Sequence, residues 1–135
     1  MQTLETPEVN ISAKAFRKEI VTIANTFPKE EKFLLSAQIK DSARSISANI
    51  AVGYGSYHYQ EAIQFCRISR CSLLETYDYL TSALDENYIT EVLFQELKCK
   101  QENLLKMLNG YIAYLKRRKQ EGYLPLLSLI NQLPN

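Results

Sequence analysis

An all-α fold, an antiparallel up-down-up-down four-helix bundle, is predicted by three features of the sequence. Apolar residues return at three- and four-residue intervals in four separate stretches, the pattern of helices that each bury one face. Only four glycines and four prolines occur in 135 residues, too few for a turn-rich sheet protein. The joints between the stretches are short, so consecutive helices must lie side by side and reverse direction.

The chain opens on residues 1–11, a loose segment containing Pro7. Ser12 is placed to cap a first helix over 12–27, whose buried stripe is Ala13, Phe16, Ile20, Ile23, Ala24 and Phe27. FPKEEKFLL begins the second. Pro28 suits a first helical position because its missing N–H has no intrahelical partner there, and Glu30 and Glu31 set negative charge at the positive helix end. Leu35, Ile39, Ala43, Ile46 and Ile50 carry that helix to about Val52.

A third helix starts near Tyr59 and shows Ala62, Phe65, Cys66, Ser69, Ser72, Leu73, Thr76, Tyr77, Leu80 and Leu84 on one side. Its mixture of large residues with Ser, Thr and Cys permits close backbone approach. Asp85 to Ile89 breaks the pattern, and Thr90 followed by Glu91 restarts it with a cap and a first-turn acid. Leu97, Gln101, Leu104, Leu108, Tyr111 and Leu115 mark the fourth helix, widened by Leu93, Leu105 and Ile112. A run over 91–118 is roughly 40 Å long at 1.5 Å per residue. The bundle domain therefore spans 12–119, leaving a leucine-rich C-terminal tail over 120–135. Pro125 argues against continuation of the fourth helix, and the leucines call for cover from the bundle or from another subunit.

Composition excludes several functions. Sixteen Lys and Arg against fifteen Asp and Glu give a formal charge of +1, so no global field draws the chain to nucleic acid or an anionic membrane. Cys66, Cys71 and Cys99 are odd in number and lack a CxxC spacing, against both a disulfide framework and a cysteine-rich zinc site. The early acids of MQTLETPEVN do not make a secretory signal, and no apolar run approaches a membrane span. A soluble cytoplasmic protein is expected, with no membrane partner.

Catalytic chemistry finds little support, and no enzyme, metal or cofactor is expected. A dimetal bundle needs inward carboxylates and a Glu-x-x-His pair from each of two helices, whereas His58 is the single histidine. Ser69, Ser72 and the cysteines of the third helix fall on its apolar side, where they serve packing. In RSISANIAVGYGSYHYQEA, the GYGS element lacks the lysine and preceding strand of a phosphate loop. Gly53 is better placed as the residue just past the second helix, and Asn49 as a structural position before it.

Binding residues are easier to nominate. Lys116, Arg117, Arg118 and Lys119 form a compact run that is either a solubilising helix end, favoured by the helix dipole, or a phosphate contact repeated by oligomer symmetry. Arg67 and Arg70 with Lys40 and Arg44 make a second candidate face, unless they pair with Asp41, Glu75 or Asp78. Tyr54, Tyr57 and Tyr59 suit a protein interface better than base stacking, because the chain is nearly neutral.

FPKEEKFLLSAQIKDSARSISANIAVGYG, from Phe27 to Gly55, and EAIQFCRISRCSLLETYDYL, from Glu61 to Leu80, resemble the bacterial 23S ribosomal RNA intervening-sequence proteins. The shared features fall on Phe27, Pro28, Gln38, Ile39, Ala43, Ser45, Ile46, Asn49, Ile50, Ala51, Gly53, Phe65, Ser72 and Glu75. The pattern departs at Val52, where the family has glutamate, at Lys40 and Asp41 in place of an arginine pair, and at Cys71 in place of glycine. The resemblance implies an antiparallel bundle that forms homo-oligomers, with pentameric rings the expected arrangement. A related branch, the accessory variability proteins of diversity-generating retroelements, forms a basic ring that contacts nucleic acid and assists a reverse transcriptase. The implied partners are thus other copies of the chain, with structured RNA or a nucleic-acid-processing protein as the alternative. The leading expectation is a non-enzymatic scaffold or adaptor.

Overall fold

The computed structural model describes the backbone of residues 7–131 and the side chains of residues 7–122. Four helices and one short 3-10 turn account for the described chain, with no strand among the described residues: α1 (Glu8–Ala24), the turn Lys29–Glu31, α2 (Leu35–Tyr54), α3 (Tyr59–Asp85) and α4 (Glu91–Asn131). The all-helical class and the number of helices match the sequence pattern.

Several boundaries move, each for a local reason. Pro7, not Ser12, sits at the cap of α1, and the Asn10 N–H donates to the Pro7 carbonyl at 2.8 Å. Pro28 does not open α2 directly. It opens the 3-10 turn, after which Leu34 breaks the helical path at φ −116° and ψ −109°. Glu31 then accepts the Leu35 N–H at 3.0 Å, so the acid expected near this helix start does cap it. Phe27 leaves α1 yet stays buried, its ring 5.5 Å from that of Tyr88.

The α3 end is a Schellman closure built without glycine. Tyr88 N–H donates to the Ala83 carbonyl at 2.8 Å and Asn87 N–H to that of Leu84 at 3.0 Å, with Asn87 at φ 61°. Asparagine tolerates that left-handed conformation better than most residues. Thr90 caps α4 as its position predicts, its hydroxyl accepting the Leu93 N–H at 3.1 Å.

Two expectations are overturned. Gly53 lies inside α2, not beyond it, and no described glycine has positive φ. Pro125 does not end α4, which runs unbroken for 41 residues to Asn131, roughly 60 Å. How the leucines of 123–135 pack lies outside the described residues.

The core follows the predicted stripes closely. Ala13, Phe16 and Ile20 of α1 meet Ile39, Ala43, Ile46 and Ile50 of α2, Ile63, Leu73 and Leu80 of α3, and Leu97, Leu104, Leu108 and Leu115 of α4 in one buried cluster. Gln101 keeps its place in the α4 stripe and is buried with them. Between α2 and α3 the core turns polar. Ser42 and Thr76 hydroxyls lie 2.7 Å apart, Ser45 and Ser72 hydroxyls 2.8 Å, and Ser69 donates to the Ile46 carbonyl at 2.7 Å. These short side chains bond across the seam and let the two backbones come close. Asn49 extends the row by donating to the Ser45 carbonyl at 2.8 Å and hydroxyl at 2.9 Å.

Burial separates the cysteines. Cys66 is buried, and desolvation pushes its thiol from 9.0 up to about 11. Cys71 and Cys99 are exposed, so the expectation that Cys71 faces the core is incorrect. A disulfide-exchange thiol reagent is expected to label two cysteines quickly in the native protein and the third only after denaturation. Because burial also raises the Tyr111 hydroxyl, the unfolded chain releases protons from both groups at lower pH than the folded chain does. Stability is therefore expected to hold below about pH 9 and to fall as pH rises towards 11, which alkaline urea titrations would measure.

Candidate basic groove between α3 and α4

Three of the predicted cations converge. Arg67 of α3 and Lys116 and Lys119 of α4, with Gln60, Ile63 and Gln120, line a groove of about 360 Å³. The crossing of α3 and α4 sets this register: Lys119 Nζ reaches Gln60 Oε1 near the start of α3, and Arg70 donates to Asn109 Oδ1 at 2.9 Å further along. Ile63 is buried and forms an apolar part of the lining. Among the described residues no carboxylate lines the groove. Arg67 and Lys116 make no hydrogen bond or ion pair among the described residues, so their donors are free.

The other nominated residues divide. Arg118 donates to Glu121 at 3.1 Å, and hydrogen bonding with Tyr59, then the Tyr59 charge and Glu121, raises its guanidinium further above the usual range. Arg117 is exposed without a partner among the described residues. Lys40 turns towards the α1 corner, where its amine bonds Asn25, while Arg70 turns to α4. Of the face proposed for Lys40, Arg44, Arg67 and Arg70, Lys40 thus reaches towards α1 while Arg67 and Arg70 lie towards α4. None of the four pairs with Asp41, Glu75 or Asp78 among the described residues, where the ion pairs are Lys100–Glu19 and Arg118–Glu121.

The tyrosines also separate. Tyr57 is 93% exposed, its ring edge-on to His58 at 5.0 Å. Tyr59 packs half-buried against the core, and Tyr54 is likewise half-buried. Both approach Tyr111, whose hydroxyl is raised first by burial and then by the neighbouring Cys66, Tyr54, Tyr114 and Tyr59. His58 precedes α3 without a side-chain capping bond. Among the described residues no group of three or more His, Cys, Asp or Glu side chains could hold a metal ion, and no helix is long and apolar enough to cross a membrane.

Gln60, Ile63 and Gln120 escaped the sequence reading. Cations are visible as a run of letters, but only the register between helices brings these three beside them.

Comparison with known proteins agrees with the architecture. No curated protein matches the chain. A crystal structure of a protein with unknown function from the S23 ribosomal protein family of Bacteroides thetaiotaomicron is similar, with a TM-score of 0.72 at 26% identity over 77% of this chain and 97% of that one. The family model described as 23S rRNA-intervening sequence protein matches residues 5–110. With most of α1 to α4 inside that match, the chain belongs to the 23S rRNA-intervening sequence protein family.

Proposed function

We propose that this protein is a non-enzymatic scaffold or adaptor, an antiparallel up-down-up-down bundle that works as a homo-oligomer. The antiparallel course is supported by paired contacts. Arg17 bonds Ser47 while Asn25 bonds Lys40, and Gln60 meets Lys119 while Arg70 meets Asn109, so rising numbers in one helix meet falling numbers in the next.

Self-association rests on one observation, the large apolar side chains left in solvent. Phe33 is 83% exposed and its neighbour Leu34 is also exposed, beside the turn that leads into α2. Val92 is 70% exposed at the start of α4. Tyr57 and Val52 are exposed at the α2–α3 corner. A soluble bundle gains by covering such groups, and like surfaces repeated by symmetry cover one another. Val52, the departure from the family's glutamate, adds apolar area where a charge would oppose contact.

Light-scattering mass of the full chain tests the reading. An oligomer is expected at micromolar concentration, and the double substitution of Phe33→Ser with Leu34→Ser is expected to weaken association about tenfold without lowering helix content. A monomeric wild-type mass would overturn it.

A further inference from the structure

We infer that the α3–α4 groove binds a small organic phosphate, its phosphoryl oxygens held by Arg67, Lys116 and Lys119 and its less polar portion lying against the methylene stems of the lining side chains. The inference is independent of whether the protein oligomerises. Three cations share one concave lining with no acid among its described residues, although each would gain from one. Arg67 is half-buried, and its guanidinium and the Lys116 amine have no partner among the described residues. An unpaired arginine fork and two ammonium groups supply the donors that a dianionic phosphate accepts.

The remaining lining favours a small molecule over a polymer. Gln60 and Gln120 add amides that can donate to or accept from an organic ligand, and the methylene stems of the lining side chains offer an apolar surface that an inorganic ion cannot use. A volume of about 360 Å³ lies within the range of small-ligand sites. Polyanion binding, in contrast, depends on many phosphate contacts spread over a surface. The formal charge of +1 and the divergence of Lys40 from Arg67 and Arg70 do not provide that surface on one chain. Lys119, already held by Gln60, is placed to exchange that amide for a phosphoryl oxygen when ligand enters.

Calorimetric titration of the full-length protein tests this with three probes: adenosine 5′-monophosphate, inorganic phosphate and a single-stranded oligouridylate. Adenosine monophosphate is expected to bind at about millimolar affinity or better, and severalfold more tightly than inorganic phosphate. Lys116→Glu and Arg67→Glu are each expected to weaken it about tenfold, whereas Lys18→Glu on α1 leaves it unchanged. Circular dichroism of each variant checks that helix content is retained, and Lys116→Gln gives a milder second test at an exposed site. Absence of binding by either phosphate compound, or binding indifferent to Lys116 and Arg67, would overturn the inference. So would binding confined to the oligouridylate with a steep loss of affinity between roughly 50 and 200 mM salt, the signature of a polyanion surface.

Discussion

Gly53→Val is expected to destabilise the fold by about 3 kcal/mol, the upper part of the range for forcing extra atoms into a packed contact. A Cβ at Gly53 would lie 3.0 Å from the Phe65 Cβ and 3.1 Å from the Ala62 carbonyl oxygen. Neither atom sits at the end of a flexible side chain; both move only if the α3 backbone moves. The α2–α3 seam would have to open at the end beyond the serine and threonine bonds that hold it shut. Gly53→Ala meets the same atoms and is expected to cost roughly 1 kcal/mol, even though alanine is ordinarily the better helix former by about that much. Gly110, in α4, provides the contrast, since nothing among the described residues lies within 4 Å of its added Cβ. Gly110→Ala is therefore expected to stabilise by about 0.5–1 kcal/mol. Urea midpoints with unchanged slopes would measure all three. A stabilised Gly53→Ala would mean that the seam yields, and the close-approach account of this glycine would fail.

The same glycine shows what the sequence could reveal and what it could not. Its type and place suggest a helix stop needing positive φ, yet it lies inside α2 and no described glycine has positive φ. The actual requirement is steric and belongs to α3, which no local pattern around residue 53 could display. The stripes of α3 and α4 were legible because periodicity reports burial directly, down to Gln101 among the α4 leucines. Helix ends were less legible. FPKEEKFLL looks like a continuous helix start, yet Phe33 and Leu34 are exposed and α2 begins only at Leu35. Pro125 illustrates the opposite error, because a proline that discourages a helix does not forbid it. The groove was half legible. KRRK and Arg67 were nominated for their charge, but the separation of Lys116 and Lys119 from Arg118 depends on which side of α4 meets α3. That register is a property of the packed pair.

Asn10→Leu is expected to stabilise the protein by about 1–3 kcal/mol, the reverse of the usual sign for a buried substitution. Asn10 is 0% exposed in the first turn of α1, and neither its amide nitrogen nor its amide oxygen has a hydrogen-bond partner among the described residues. Water satisfied both atoms before folding, so burial forfeits those bonds with no return. Leucine has the same branching at Cγ and presents two methyls where the amide now presents N and O. It replaces a desolvated dipole with apolar surface against Val9 and Ala13, its buried neighbours along α1. Gln101 provides a companion case with a smaller gain, since only its Oε1 is both buried and without a partner among the described residues, and Gln101→Met is expected to add about 1 kcal/mol. Glu19 meets Lys100 while Val9 lies beside Met107 and Tyr111, a register that sets Asn10 and Gln101 apart along the bundle, so their effects should add. Denaturation of the single and double variants measures this directly. A loss of stability in Asn10→Leu would show that the amide is satisfied in solution, as by a buried water, and that the polar group contributes to holding α1 in place.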